Sequence, residues 1–170
     1  MSWVDTIKEG LPDYAKDTKL NLDSVIKRST LPEEEAEACA LSAAMATGNG
    51  KLVSFIQSSI TNTVERDAAL TASSLMGMNN VWYPYVEMAD DPQLKGLPAQ
   101  LRMNAISTHG GTTKERFEAY SLAASIVGKC HFCVKSHYDG LKKMGYTVEQ
   151  LRDIGRIAAV ITSVAKVLNS

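Results

Sequence analysis

The stretch Thr147-Val-Glu-Gln-Leu-Arg-Asp-Ile-Gly-Arg-Ile-Ala-Ala-Val-Ile-Thr-Ser-Val-Ala-Lys-Val-Leu168 decides the fold class. Thr147 and Gln150 stand at capping-box spacing, and Ile154, Ile157, Ala158, Ile161, Val164, Ala165 and Leu168 recur every three or four residues. Such a pattern predicts one long helix over 148–168, apolar along a single face. The same start signal recurs upstream. Thr112-Thr-Lys-Glu115 opens a predicted helix over 113–127, and Thr30-Leu-Pro-Glu33 opens another running to about Met45. An alanine- and leucine-rich segment from Thr63 to Met78 and a segment beginning near Pro12 complete a framework in which strand signals are nearly absent. The expectation is an all-α, single-domain helical bundle spanning 1–170.

Breaks are expected at Gly48-Asn-Gly50, between Tyr83 and Pro98, and at His109-Gly-Gly111. The region between Pro84 and Pro98 separates two halves of similar length, each holding an alanine-rich helix, a glycine-bearing break and another helix. Laying Leu41-Ser-Ala-Ala-Met over Leu122-Ala-Ala-Ser-Ile also sets Val53 over Val134. The pattern suggests an internal duplication, although the identities are few.

Composition narrows the function. The 170 residues are 45% hydrophobic and 22% charged, with 18 basic against 19 acidic side chains, so neither a disordered chain nor a nucleic-acid partner is expected. No apolar run approaches the roughly 20 residues of a membrane span, and the first residues carry no signal-peptide pattern. A soluble, cytoplasmic protein that does not enter the membrane is expected.

Three cysteines are too few for a disulfide-stapled scaffold. Cys39 stands alone in an alanine-rich context and reads as core. Cys130 and Cys133 form a C-x-x-C, with His137 four residues further on. Gly128 offers a break before a new helix whose first turn would hold Cys130. On that helix Cys130, Cys133, Val134, His137, Leu141 and Met144 share one face, while Lys135, Asp139, Lys142 and Lys143 lie opposite and His131 turns to the polar side. A first-turn position favours thiolate through the helix dipole. A histidine at i+4 can serve as base to Cys133, and a second cysteine can condense with an oxidised sulfur. These are the parts of a thiol-disulfide or peroxide-reducing centre. The same three residues could instead supply zinc ligands, but a fourth is hard to find, since only His109, His131 and Cys39 remain and none belongs to a second paired motif. In the preceding helix Glu118, Ser121 and Ser125 form a narrow polar stripe. Aimed at the thiols, that stripe would let Glu118 orient His137 and take up a proton; otherwise it meets water.

The spacing Glu118-x11-Cys130-x-x-Cys133-x3-His137 resembles the catalytic pattern of the alkylhydroperoxidase D family. Leu11-Pro-Asp-Tyr-Ala-Lys-Asp-Thr-Lys-Leu-Asn-Leu22, Met76-Gly-Met-Asn-Asn-Val81 and Leu101-Arg-Met-Asn104 extend the likeness over nearly the whole chain. The resemblance implies the all-helical fold of the carboxymuconolactone decarboxylase superfamily, a homotrimer, and an antioxidant enzyme that reduces alkyl hydroperoxides. It implies regeneration of a partner peroxiredoxin and electrons delivered by the lipoyl group of an acyltransferase, with no cofactor or metal held by the chain itself. By position, Cys133 would be the peroxidatic thiolate that becomes a sulfenic acid. Cys130 would be the resolving cysteine and proton donor, closing a Cys130–Cys133 disulfide. His137 would be the base, and Glu118 would complete the relay through a water. Where the family often has a histidine just before the second cysteine, this chain has Phe132, with His131 one place earlier; both are therefore candidates for tuning the site. Two alternatives stand beside the peroxidase: a thiol-disulfide adaptor with little direct activity, and a Cys/His metal-binding module. A decarboxylase is disfavoured by the paired cysteines.

Overall fold

The computed structural model describes residues 2–170. Among them the chain forms ten α-helices and no strand: α1 (Trp3–Gly10), α2 (Lys16–Lys27), α3 (Glu33–Thr47), α4 (Gly50–Ser59), α5 (Thr63–Ala89), α6 (Pro92–Lys95), α7 (Ala105–Thr108), α8 (Lys114–Gly128), α9 (His131–Lys143) and α10 (Val148–Leu168). The all-α expectation holds. The segment near Pro12 begins with a 3-10 turn over Asp13–Ala15 and continues as α2.

The three expected capping boxes fared differently. At α10 both bonds form: the Gln150 amide donates to Thr147 Oγ1 at 3.2 Å, and the Thr147 amide donates to Gln150 Oε1 at 2.9 Å. The box at α3 does not form. Pro32 occupies its N-cap without a side-chain bond, while the amide and hydroxyl of Thr30 donate to Asp153 Oδ2 of α10 at 2.8 and 2.9 Å. A buried carboxylate needs donors, and it draws Thr30 away from the helix end. At α8 the cap shifts by one residue. Thr113 accepts from the Arg116 amide, whereas the Thr112 hydroxyl donates to Glu65 Oε1 at 2.7 Å. In both cases a tertiary acceptor outcompetes a local cap.

The largest correction concerns α5, which was expected to stop at Met78 but runs to Ala89 with Pro84 inside it. Proline removes only one amide, the partner of the Asn80 carbonyl, and packing of α5 against α8 and α9 maintains the helix across that gap. It ends at Asp90, which takes a left-handed conformation (φ 50°) at the start of the expected Asp-Asp-Pro turn.

Helices α3, α5 and α8 pack on one another at the centre, and α10 covers α3 and α8 with Leu151, Ile154, Ile157 and Ile161. The architecture repeats along the chain. Helices α3 and α8 begin 81 residues apart, at Glu33 and Lys114, and end 81 apart, at Thr47 and Gly128. Helices α4 and α9 also begin 81 apart, at Gly50 and His131. Laying Leu41 over Leu122 uses the same offset. In each half a left-handed residue, Gly48 or Lys129, links the first helix to the second, and the next residue caps the second helix through its side chain.

Asp153 ties the start of α3 to α10. Burial pushes its carboxyl upward, but the Thr30 amide and hydroxyl, with the guanidiniums of Arg156 and Arg152, outweigh burial and hold it below the ordinary value of 3.8. A carboxylate lowered in the folded state contributes stability that is complete above the unfolded pKa and is lost as pH falls through the lower folded value. Asp153→Ala should therefore lower unfolding free energy by about 1–3 kcal/mol near neutrality, because it removes the shared acceptor of the Thr30 amide and hydroxyl. Denaturant titrations at pH 7 and pH 2.5 should show the difference from the parent shrinking at the lower pH.

Candidate redox site

The site forms where α8 ends and α9 begins. Lys129 reverses the chain in a left-handed conformation (φ 54°), and Cys130 is the N-cap of α9 rather than a first-turn residue, one position earlier than expected. The Cys133 amide donates to Cys130 Sγ at 3.2 Å, so the sulfur occupies the place usually taken by a serine or aspartate oxygen. Cys130 and Cys133 are joined as a disulfide. Cys130 is 0% exposed and Cys133 3%. The backbone carbonyl oxygen of Asn79, on α5, lies 3.6 Å from Cys133 Sγ and 3.9 Å from Cys130 Sγ.

One turn along α9, His137 Nδ1 meets Glu118 Oε2 at 2.6 Å. The contact is direct, where a bridging water was expected. Both side chains are largely covered. The polar stripe of α8 thus faces inward, with Ser121 and Ser125 fully buried and Ser121 donating to the Phe117 carbonyl. An ionised carboxylate opposite Nδ1 favours the ring proton there and leaves the other nitrogen as a lone-pair carrier. That nitrogen, Nε2, lies 3.2 Å from the thioether of Met76. Thioether sulfur has no proton to donate, so the lone pair of Nε2 stays available for a thiol proton.

The two residues singled out for tuning lie on the outer side. His131 is largely exposed, with Nδ1 3.8 Å from Glu87 Oε1. Phe132 is 55% exposed and stacks on Tyr83 of α5, ring centroids 4.4 Å apart. Cys39 is fully buried and takes no part, and burial pushes its thiol well above the ordinary range. Among the described residues no three His, Cys, Asp or Glu side chains form a set that could hold a metal. No helix among the described residues is long and apolar enough to cross a membrane.

Sequence reasoning missed Met76, Asn79, Asn80 and Tyr83, all supplied by α5. A signal existed. These positions fall within or beside the Met76–Val81 stretch, and a helix drawn through Pro84 would have presented Met76, Asn79, Asn80 and Tyr83 at spacings of three and four. Asn80 fixes the frame by donating from Nδ2 to the Ala124 carbonyl at 3.2 Å. Gly128 permits that approach, since a Cβ there would stand 2.3 Å from Asn80 Nδ2 and 2.8 Å from its Cβ. Gly128→Ala must displace Asn80 and with it the α5–α8 contact behind the disulfide. Overpacking of this kind costs about 1–3 kcal/mol, which calorimetry should register as a lower midpoint than the parent's. Gly155→Ala, where a Cβ would meet nothing within 4 Å, should leave the midpoint unchanged or raise it.

Beside the disulfide lies a cavity of about 380 Å³ lined by Lys129, Cys130, His131, Val134, Lys135 and Tyr138. Its surface is almost wholly carbon, although two lysines and a histidine are among the residues that line it.

Comparison with known proteins agrees with the pattern. Residues 92–170 match the carboxymuconolactone decarboxylase family. An alkyl hydroperoxide reductase AhpD of Maricaulis maris is 38% identical over 168 residues, covering 97% of this chain and 96% of its own. A protein of the same name from Rhodospirillum centenum is 39% identical over 170 residues, covering 98% of this chain and 91% of its own. One from Coxiella burnetii is 38% identical, covering 96% of both chains.

Proposed function

Since the chain belongs to the alkyl hydroperoxide reductase AhpD family, we propose that it is an antioxidant enzyme reducing alkyl hydroperoxides at Cys130 and Cys133. The observation that carries this reading is the direct pairing of the Glu118 carboxylate with the imidazole of His137, which follows Cys133 by one turn on α9. In the reduced protein, His137 Nε2 takes the proton of the Cys133 thiol, and Glu118 stabilises the resulting imidazolium. The Cys133 thiolate attacks the terminal peroxide oxygen. A sulfur–oxygen bond forms, the oxygen–oxygen bond breaks, and the alkoxide leaves as alcohol with the proton of Cys130. The Cys130 thiolate then attacks the sulfenic sulfur of Cys133, expelling hydroxide, which departs as water with the proton held by His137. Two thiols are oxidised and one peroxide bond is reduced.

A lipoyl group carried by an acyltransferase supplies two thiols and two electrons when it docks. The residues present fit such a group: the apolar cavity beside Cys130 suits an aliphatic arm, and it opens on the same helix as the disulfide. The same exchange chemistry lets the reduced pair regenerate an AhpC-like peroxiredoxin. We take the working form to be a homotrimer, as in the resemblance that first suggested the family.

Cumene hydroperoxide consumption with dihydrolipoamide as reductant tests this reading. The parent should turn over. Cys133→Ser should abolish turnover, and Cys130→Ser should stop it after one equivalent while leaving a dimedone-reactive sulfenic acid at Cys133. Glu118→Gln should slow thiolate formation about 10- to 100-fold and shift the pH profile; a profile identical to the parent's would remove Glu118 from the relay. A disulfide reducible by dihydrolipoamide without peroxide turnover would leave only an electron-passing adaptor.

A further inference from the structure

The 81-residue repeat places Lys129 where the first half has Gly48, and both residues adopt the left-handed conformation, with φ 54° and 77°. Glycine is the ordinary choice there. A side chain in this conformation crowds its own Cβ against the following carbonyl, a cost that glycine escapes. The half without the cysteine pair avoids that cost, and the half that carries the pair accepts it at the residue immediately preceding Cys130. A lysine is also favoured near the C-terminal carbonyls of α8, so its position alone does not assign a role. Two further observations do. Lys129 lines the carbon-walled cavity that reaches Cys130. Lys135, the other lysine that lines it, is committed to Asp139, whereas Lys129 forms none of the ion pairs found among the described residues.

We propose that the cavity receives the dithiol that reduces the disulfide, and that Lys129 binds the incoming sulfur in its thiolate form beside Cys130. This rests on the redox reading above and specifies how its reducing half-reaction begins. Only thiolate attacks a disulfide, so a cation at the approach raises the reactive fraction of the reductant where it is needed. The thiolate forms a bond to Cys130 Sγ as its covering side chains part. The Cys130–Cys133 bond breaks, and its electron pair passes to Cys133 Sγ, which takes up, through His137, the proton that the entering thiol released. The second thiol of the reductant then attacks the mixed disulfide, displaces Cys130 and gives it its proton, closing a cyclic disulfide. Two electrons have passed from the dithiol to the cysteine pair.

The test is the rate of disulfide reduction in the full-length protein, followed by thiol release with no peroxide present. Lys129→Gly keeps the backbone conformation, so its thermal midpoint should equal or exceed the parent's. Reduction by dihydrolipoamide should slow about fivefold at low ionic strength, the size expected of one partly exposed charge acting on a thiolate. The gap should close in 1 M salt. Lys129→Gln should behave like the glycine variant, and Lys129→Arg should restore the rate. A neutral phosphine, tris(hydroxypropyl)phosphine, attacks without forming thiolate and should reduce all variants alike. Equal dithiol rates in parent and Lys129→Gly, or an equal slowing with the phosphine, would overturn the proposal and leave Lys129 as a helix cap or a steric wall. If dihydrolipoamide failed to reduce the parent disulfide while the phosphine succeeded, the lipoyl-linked peroxidase reading would fall, and this inference with it.

Discussion

Eleven fully buried alanines, at 36, 38, 40, 43 and 44 in α3, 68, 69 and 72 in α5, and 119, 123 and 124 in α8, let the three central helices approach with little between their backbones. Nearly everything at the site depends on that approach. Short side chains leave the interhelical distance to be set by backbone and Cβ contacts, so the polar groups carried on those helices arrive with little play. Glu118 reaches His137, the Asn79 carbonyl reaches both sulfurs and the Asn80 amide reaches the end of α8 because α5 and α8 lie this close. A redox pair must hold its geometry through bond formation and cleavage, and a frame of this kind gives it a rigid back wall.

Much of this was legible in sequence, because helix starts and apolar periodicity are local signals. The α10 capping box, the helical face shared by Cys133 and His137, and the narrow polar stripe of α8 all follow from spacing within one element, although spacing left open which way that stripe faced. What escaped the sequence was competition between elements. Thr30 and Thr112 each had a good local use as a cap, and each was taken by a buried carboxylate contributed by another helix, Asp153 and Glu65. Neither carboxylate is near its threonine in the chain, so no window of sequence could show the contest. Reading Pro84 as a break had a wider effect. It cut α5 short and hid the four residues that this helix adds around the disulfide.

Phe132 illustrates how such an omission limits functional reasoning. Beside Cys133 in sequence it reads as a residue that tunes the thiol. In space it stacks on Tyr83 and faces outward, so its direct influence falls on the surface offered to other molecules. His131 lies on that side too, leaving Glu118 and His137 as the ionisable pair that adjoins the sulfurs' helix face.

The repeat has a consequence for how the chemistry came to be housed. At the start of α4, Asn49 Oδ1 accepts the Leu52 amide at 2.8 Å, and at the start of α9, Cys130 Sγ accepts the Cys133 amide at 3.2 Å. Asn49 also reaches the end of α10, donating to the Ala165 carbonyl and to Asn169, so in its half the capping residue is wholly occupied with holding helices together. The redox half keeps the same turn and the same amide bond and changes the accepting atom from oxygen to sulfur. One polypeptide therefore carries a reactive and an inert version of a single structural joint, and the inert one records what that joint requires when no electrons pass through it.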